Sequence, residues 1–286
     1  MKKYYKVAEH VFVLKTDQHD FLLNRLQQYE PFLTEPTDKV SFVLEIVENL
    51  PVTTFHEELK QEDEGQTIIV GRLEDGEAYF EFWLGKKQCS IMVTDKDYRL
   101  AKICVKENWS FGVNNAIMVM YALATANSQT ALFHSSVVSY QGKAYMFLGH
   151  SGTGKSTHSS LWLKYIEGTE LVNDDNPVVR IVDGVARVYG SPWSGKTPCY
   201  RNVSYPVGGI VKLSQAPYNE MKRLKGVRAY AAVVPSISGK RWDKKLAEGL
   251  YETENLLAQL VPIWHLDCLP DEAAARLSCQ NCTHGD

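Results

Sequence analysis

Short apolar runs separated by polar turn residues recur through the first hundred residues. Ser41–Val47, Thr67–Leu73, Ala78–Leu84, Ser90–Thr94 and Ala101–Val105 each have the length and spacing of a strand. Asp75-Gly76 and Gly85-Lys86 lie between neighbours in this series, a turn chemistry that predicts antiparallel pairing. Ahead of them, an apolar segment at Val11–Leu14 precedes Asp17–Tyr29, where Phe21, Leu22, Leu23 and Leu26 predict an amphipathic helix ended by Pro31 and Pro36. The charged interval His56–Glu64 reads as a solvated loop or helix face. No catalytic constellation stands out in this half.

At Asn108 the pattern changes. Phe111–Ala126 predicts a strongly apolar helix, and the domain boundary is placed just before it, giving a smaller N-terminal α+β domain at 1–108 and a second domain at 109–286. Ala131–Ser139 and Lys143–Leu148 are strand-like and joined through Tyr140-Gln141-Gly142 as a hairpin. A helix is expected over Ser156–Glu167, stopped by Gly168, with a short strand at Glu170–Val172. Asp183-Gly184 between Val178–Val182 and Val185–Tyr189 is a strong hairpin turn. After an apolar run at Gly209–Leu213 the chain is helical in tendency at Val227–Val234 and Lys244–Leu260, with a strand at Pro262–Leu266 and a closing helix at Asp271–Leu277. The basic clusters Lys222, Arg223, Lys225, Arg228 and Lys240, Arg241, Lys244, Lys245 read as solvated helix faces.

Composition narrows the function classes. With 286 residues, 44% hydrophobic and 23% charged, the chain has the make-up of a soluble globular protein with room for two domains. A formal charge of −3 argues against bulk binding of nucleic acid. The N-terminus lacks an apolar stretch of signal-peptide length, and no run reaches transmembrane length, so a cytoplasmic protein without a membrane partner is expected. The 6 cysteines then read as reduced thiols.

The candidate chemistry centres on Lys143–Thr157, KAYMFLGHSGTGKST, where Gly149, Gly154, Lys155 and Ser156 meet G-x-x-x-x-G-K-[ST] between an apolar strand and a helix. Glycines let backbone amides turn inward and approach phosphate oxygens, and the helix N-terminus favours an anion. The expected cradle is Gly149, Ser151, Gly152, Thr153, Gly154, Lys155, Ser156 and Thr157, with ATP or another nucleoside triphosphate and Mg²⁺ as cofactors. Asp174-Asp175 follow one helix and one strand later, a spacing that returns a strand end to the loop. Two adjacent acids can divide the labour, one binding the metal and the other accepting a proton from an attacking hydroxyl; Ser156 and Asp175 form the expected metal side. His134, alone on its strand, would not be singled out.

A second segment, Gly190–Thr197, fits the same pattern, but Pro198 follows and no helix is expected there, so it is not read as a second nucleotide cradle. It stands instead between a surface loop anchored by Trp193 and an acceptor loop carrying Lys196 and Arg201 over the active site. Cys279-x-x-Cys282 with His284 is half of a zinc pattern.

Phe133-His134-Ser135, the hairpin into GHSGTGKST, LVNDD at 171–175 and the closing run from Pro262 to Ala273 together resemble the catalytic domain of the HPr serine kinase/phosphorylase family, over about residues 130–280. The resemblance implies an α/β, P-loop-containing mixed-sheet domain of the phosphoenolpyruvate carboxykinase/HPr kinase-like fold. It implies phosphate binding by Lys155, Mg²⁺ at Ser156, base and metal-ligand roles for Asp174 and Asp175, and pairing of His134 with the acids. His150 and Thr157 depart from the Asp and Glu usual in HPr kinase, and the loop is closer to the carboxykinase form. The function implied is a Mg-dependent kinase transferring the ATP γ-phosphoryl to a hydroxyl, foremost a serine of a protein or peptide acceptor. A small-molecule kinase, a carboxykinase-like enzyme and a nucleotide-gated binding protein are the alternatives, and a homo-oligomer is left open.

Overall fold

The computed structural model describes residues 1–17, 20–51, 54–195 and 197–284. The chain divides into two compact units, Met1–Thr125 and Ala126–Asp286, each built on its own mixed sheet.

In the first unit β1 (Lys2–Val7) and β2 (His10–Thr16) form a hairpin, and β3 (Phe42–Val47) joins β2 in parallel. Then β4 (His56–Asp63), β5 (Gln66–Arg72), β6 (Ala78–Leu84), β7 (Lys87–Thr94) and β8 (Leu100–Val105) run as an antiparallel meander, and β8 returns parallel to β3. The described residues thus form an eight-stranded sheet in the order β1-β2-β3-β8-β7-β6-β5-β4. The charged interval at His56 is therefore neither loop nor helix but the edge strand β4. Its exposed charges suit a free edge, which they protect against pairing with another chain.

The helix expected over Asp17–Tyr29 is much shorter. Gln18 and His19 of that span lie outside the described residues; the rest forms α1 (Asp20–Asn24) and then a 3-10 turn over Gln27–Phe32. So short a helix has little stability of its own, and burial of Leu22, Leu23, Leu26, Tyr29 and Phe32 fixes the path instead. The apolar helix α2 (Trp109–Thr125) packs on β3, β6, β7 and β8, so the division between units follows this helix instead of preceding it. Tyr121 on α2 donates its hydroxyl to the Val7 carbonyl at 3.0 Å, within a cluster that stacks Phe12 on Phe42 at 5.0 Å.

The second unit contains β9 (Thr130–Phe133), β10 (Ser135–Tyr140), β11 (Lys143–Leu148), α3 (Lys155–Tyr165), β12 (Glu170–Asp175), β13 (Val178–Val182) and β14 (Val185–Tyr189). It continues with β15 (Ser204–Gln215), β16 (Glu220–Leu224), α4 (Val227–Val233), β17 (Ile237–Ser238), α5 (Lys244–Leu260), β18 (Ile263–Cys268) and α6 (Glu272–His284). Both predicted hairpin turns place two successive residues at positive φ, Gln141 (48°) with Gly142 (74°) and Asp183 (50°) with Gly184 (76°), the twist that matches paired strands. Strand β15 is the spine: β11 runs parallel along one edge, while β14 and then β18 pair with the other. Lys222 and Arg223 lie on strand β16, not on a helix, and the Arg223 guanidinium sits 4.8 Å over the Trp264 ring.

Helices α3 and α6 cover one sheet face. Trp162 is the centre of that core, 5.1 Å from the Tyr145 ring, and its indole donates to Ser278 at 2.8 Å. His158, also bonded to Ser278 at 2.9 Å, is driven down to about 4 by burial and is neutral. The whole is a mixed α/β architecture with two large mixed sheets and few helices.

Candidate functional site

Strand β11 delivers the glycine loop directly. After Leu148 the chain turns through Gly152 (φ 77°) and Gly154 (φ 107°), both in the left-handed region that side chains disfavour, and α3 starts at Lys155. A Cβ on Gly149 would stand 2.9 Å from the Thr153 side chain, so the loop closes tightly there. Lys155, only 9% exposed, folds back over the loop and donates to the carbonyls of Gly149 (3.0 Å) and His150 (3.3 Å). Ser156 and Thr157 are exposed in the first turn of α3, as is Ser151 in the loop. From β15, Gln215 braces the loop by donating to the Gly152 and Thr153 carbonyls at 3.1 and 3.4 Å.

The acid pair sits at the end of β12, and the strand pleat sends the two side chains to opposite faces. Asp174, buried at 5% exposure, lies on the α3 face. Ser136 on β10 donates to its Oδ1 at 2.7 Å, and Ser136 is in turn 2.6 Å from Ser159 on α3. Because Ser136 has one proton and gives it to Asp174, Ser159 must be the donor in the second bond. This short chain ties the loop-bearing helix to the acid. Asp175 is on the other face, where His134 Nε2 stands 4.0 Å from its Oδ1 and Asn176 donates to Oδ2 at 2.7 Å. Burial holds the Asp175 carboxyl above the usual range; the His134 and Lys155 charges pull it back, and Asp174 adds to the rise.

A third part is the segment after β14. Ser191, Pro192 and Trp193 are buried, and the chain lies along the free edge of β12. Gly195 N donates to the Asp174 carbonyl at 3.1 Å, Asn176 N to the Trp193 carbonyl at 3.3 Å, and Ser194 bridges to Asp175. Asn173, wholly buried, is the clamp. Its amide donates to Ser191 Oγ (3.1 Å) and the Trp193 carbonyl (3.2 Å), while its Oδ1 accepts from Asp175 N at 3.0 Å. A Cβ on Gly195 would meet the Asp174 carbonyl at 2.7 Å, and one on Gly190 the Arg201 carbonyl at 2.0 Å, so both glycines serve close backbone approach. Arg201 is placed at the far end of β12, donating to the Leu171 carbonyl (2.6 Å) and to Glu170 (2.7 Å). Lys196 lies outside the described residues.

The fold thus brings Lys155, Asp174, Asp175 and His134 to one end of one sheet, with Ser156 and Thr157 on the adjoining helix turn. Ser136, Ser159, Asn173 and Gln215 escaped sequence reasoning. The first two belong to hydroxyl-rich runs, Ser135-Ser136 and Ser159-Ser160, which give a signal only when strand and helix are known to meet. Cys279 and Cys282 share α6, and burial pushes both thiols up, towards the protonated form. Among the described residues no group of three or more His, Cys, Asp or Glu gathers as a metal site.

No protein-family model matches the chain, and no curated protein matches it. Among solved structures, the Hpr(Ser) kinase/phosphatase from Coxiella burnetii is 12% identical, over 52% of this chain and 97% of that one, with a TM-score of 0.32.

Proposed function

We propose that the second unit is a Mg²⁺- and nucleotide-dependent kinase of the HPr serine kinase-like group, with the P-loop fold of that group, transferring the γ-phosphoryl of ATP to a hydroxyl of a protein or peptide. The observation that carries this reading is the convergence of the Gly149–Thr157 loop, with Lys155 over it, and the acids Asp174 and Asp175 at one sheet end. Glycines in left-handed conformations and a helix starting at Lys155 fit a phosphate group, since such a turn lets backbone amides approach an anion and a helix N-terminus favours one.

Bound Mg-ATP supplies the transferable phosphoryl group and the charge neutralisation it needs. In this reading Lys155 would exchange its loop carbonyls for phosphate oxygens, and Ser156 with Asp174, on the α3 face, would hold the metal. Asp175, whose burial favours the protonated form, receives the acceptor's proton on its carboxylate, and His134 beside it steadies the ionised form. Ser136 and Ser159 hold Asp174 in register with the helix. Positioning and fixed charge supply most of the rate in such a site.

The test is direct. Mg-ATP should raise the melting temperature of the full chain, and Lys155→Ala should abolish the rise. Labelled ATP with candidate protein and peptide acceptors should give a phosphorylated product that Asp175→Asn suppresses. Labelling that survives Lys155→Ala would reject the loop assignment.

A further inference from the structure

Across the second sheet, residues pair in rows: Asp175 with Ser135, Ser135 with Leu148, Leu148 with Lys212, and Lys212 with His265. Side chains within a row share a face. The neighbouring row of Phe147, Val211 and Trp264 packs with Trp162 and Ala275, so the Asp175–Lys212 row lies on the face opposite α3 and α6. With strands about 4.8 Å apart, the Lys212 backbone stands one strand from the base of the glycine loop and three, about 14 Å, from that of Asp175.

This face opens towards the loop end. Along β15, Ile210 is fully buried, Lys212 and Ser214 are half-buried, and Gln215 is exposed where it braces the loop. Among the described residues the Lys212 ammonium has no hydrogen-bond or ion-pair partner. His265 beside it is held by Asp267 at 3.1 Å, and the buried Ser135 hydroxyl, in the same row, likewise has no partner among the described residues. A partly desolvated ammonium that no carboxylate neutralises gains from an incoming anion. Parallel strands β11, β15 and β18 also end here, where open α/β sheets bind ligands.

We propose that Lys212, with His265 beside it, forms a second anion subsite that takes a phosphate or carboxylate group of the acceptor substrate. Lys155 already serves the loop side, folded onto the carbonyls of Gly149 and His150, and leaves Lys212 for the other partner. The identity of the ligand as an acceptor group rests on the kinase reading; the existence of an anion subsite does not.

The experiment measures thermal stabilisation of the full chain by inorganic phosphate and, separately, by acetate, with and without Mg-ADP. One of the two anions should stabilise the wild type, and which one does so tells phosphate from carboxylate. Lys212→Met should weaken that anion at least tenfold, Lys212→Arg should retain it, and Mg-ATP affinity should stay within twofold in both variants. Should Lys212→Met fail to fold, Lys212→Gln carries the same comparison. The proposal is overturned if neither anion stabilises the wild type, if the neutral variants bind as the wild type does, or if they lose Mg-ATP as Lys155→Ala does. A Lys212-dependent anion shift in a chain that shows no Mg-ATP shift would retain the subsite and reject the nucleotide reading.

Discussion

Gly149–Ser156 and Gly190–Thr197 spell the same glycine pattern with a lysine in the same place, yet they fold into unlike things. The first leaves a parallel strand and enters an eleven-residue helix, so its turn ends at a helix N-terminus. The second leaves an antiparallel strand and runs along an edge, so its amides and carbonyls pair with β12. Glycine does different work in the two. In the first it supplies left-handed turns at Gly152 and Gly154; in the second it removes a side chain where two backbones touch, at Gly190 and Gly195. A motif of this kind specifies a phosphate site only through the elements on either side of it.

The sharpest test of the difference truncates each lysine in turn. Lys155→Ala should weaken Mg-ATP by about 100-fold or more, read by calorimetry, as loss of a dedicated charged donor does. The next effect is on stability. Gly195→Val should lower the unfolding free energy by about 1–3 kcal/mol, because the new side chain meets the Asp174 backbone; phosphotransfer should fall while nucleotide affinity holds. Asn173→Ala should cost about 1–3 kcal/mol, since it strands buried donors and acceptors. A chemical-denaturation midpoint lowered by less than the error would refute the clamp.

A smaller effect is in pH. The rate should climb with pH along a limb lying above the ordinary carboxylate range, and Asp175→Asn should remove that limb. The linked stability runs the other way. With its folded pKa raised, Asp175 favours the fold at low pH, and the contribution is lost as pH rises through the folded value. Smallest of all, Lys196→Ala should change Mg-ATP affinity less than twofold. A loss like that of Lys155→Ala would erase the distinction between the two segments.

Short apolar runs bounded by turn residues were legible as strands, Phe42–Val47 and Ala78–Leu84 among them, as were both hairpin turns, because the local chemistry alone specifies them. The edge strand β4 was not, since its run of charges answers to the absence of a neighbour and not to any periodicity. The place of α2 was hidden for a similar reason: apolarity predicts that a helix is buried, not which sheet buries it. At the site, the residues of the glycine loop and the acid pair could be named from spacing. The partners that hold them, Asn173, Ser136, Ser159 and Gln215, come from segments brought together only by β10, β12 and β15.

Across their paired stretch β12 has one more residue than β10: Val138 pairs with Leu171 and Val137 with Asn173, leaving Val172 unmatched. That surplus residue works as a phase shifter. Upstream of it Leu171 joins the apolar cluster beneath α3, and three residues later Asp174 faces the same way, which an unbroken two-residue repeat forbids. Drawing Val172 into the ladder without the bulge would instead exchange the two carboxylates, placing Asp175 on the α3 face and Asp174 on the face of Ser135. The order of two identical letters in the sequence thus acquires a meaning from a third residue with no chemistry of its own.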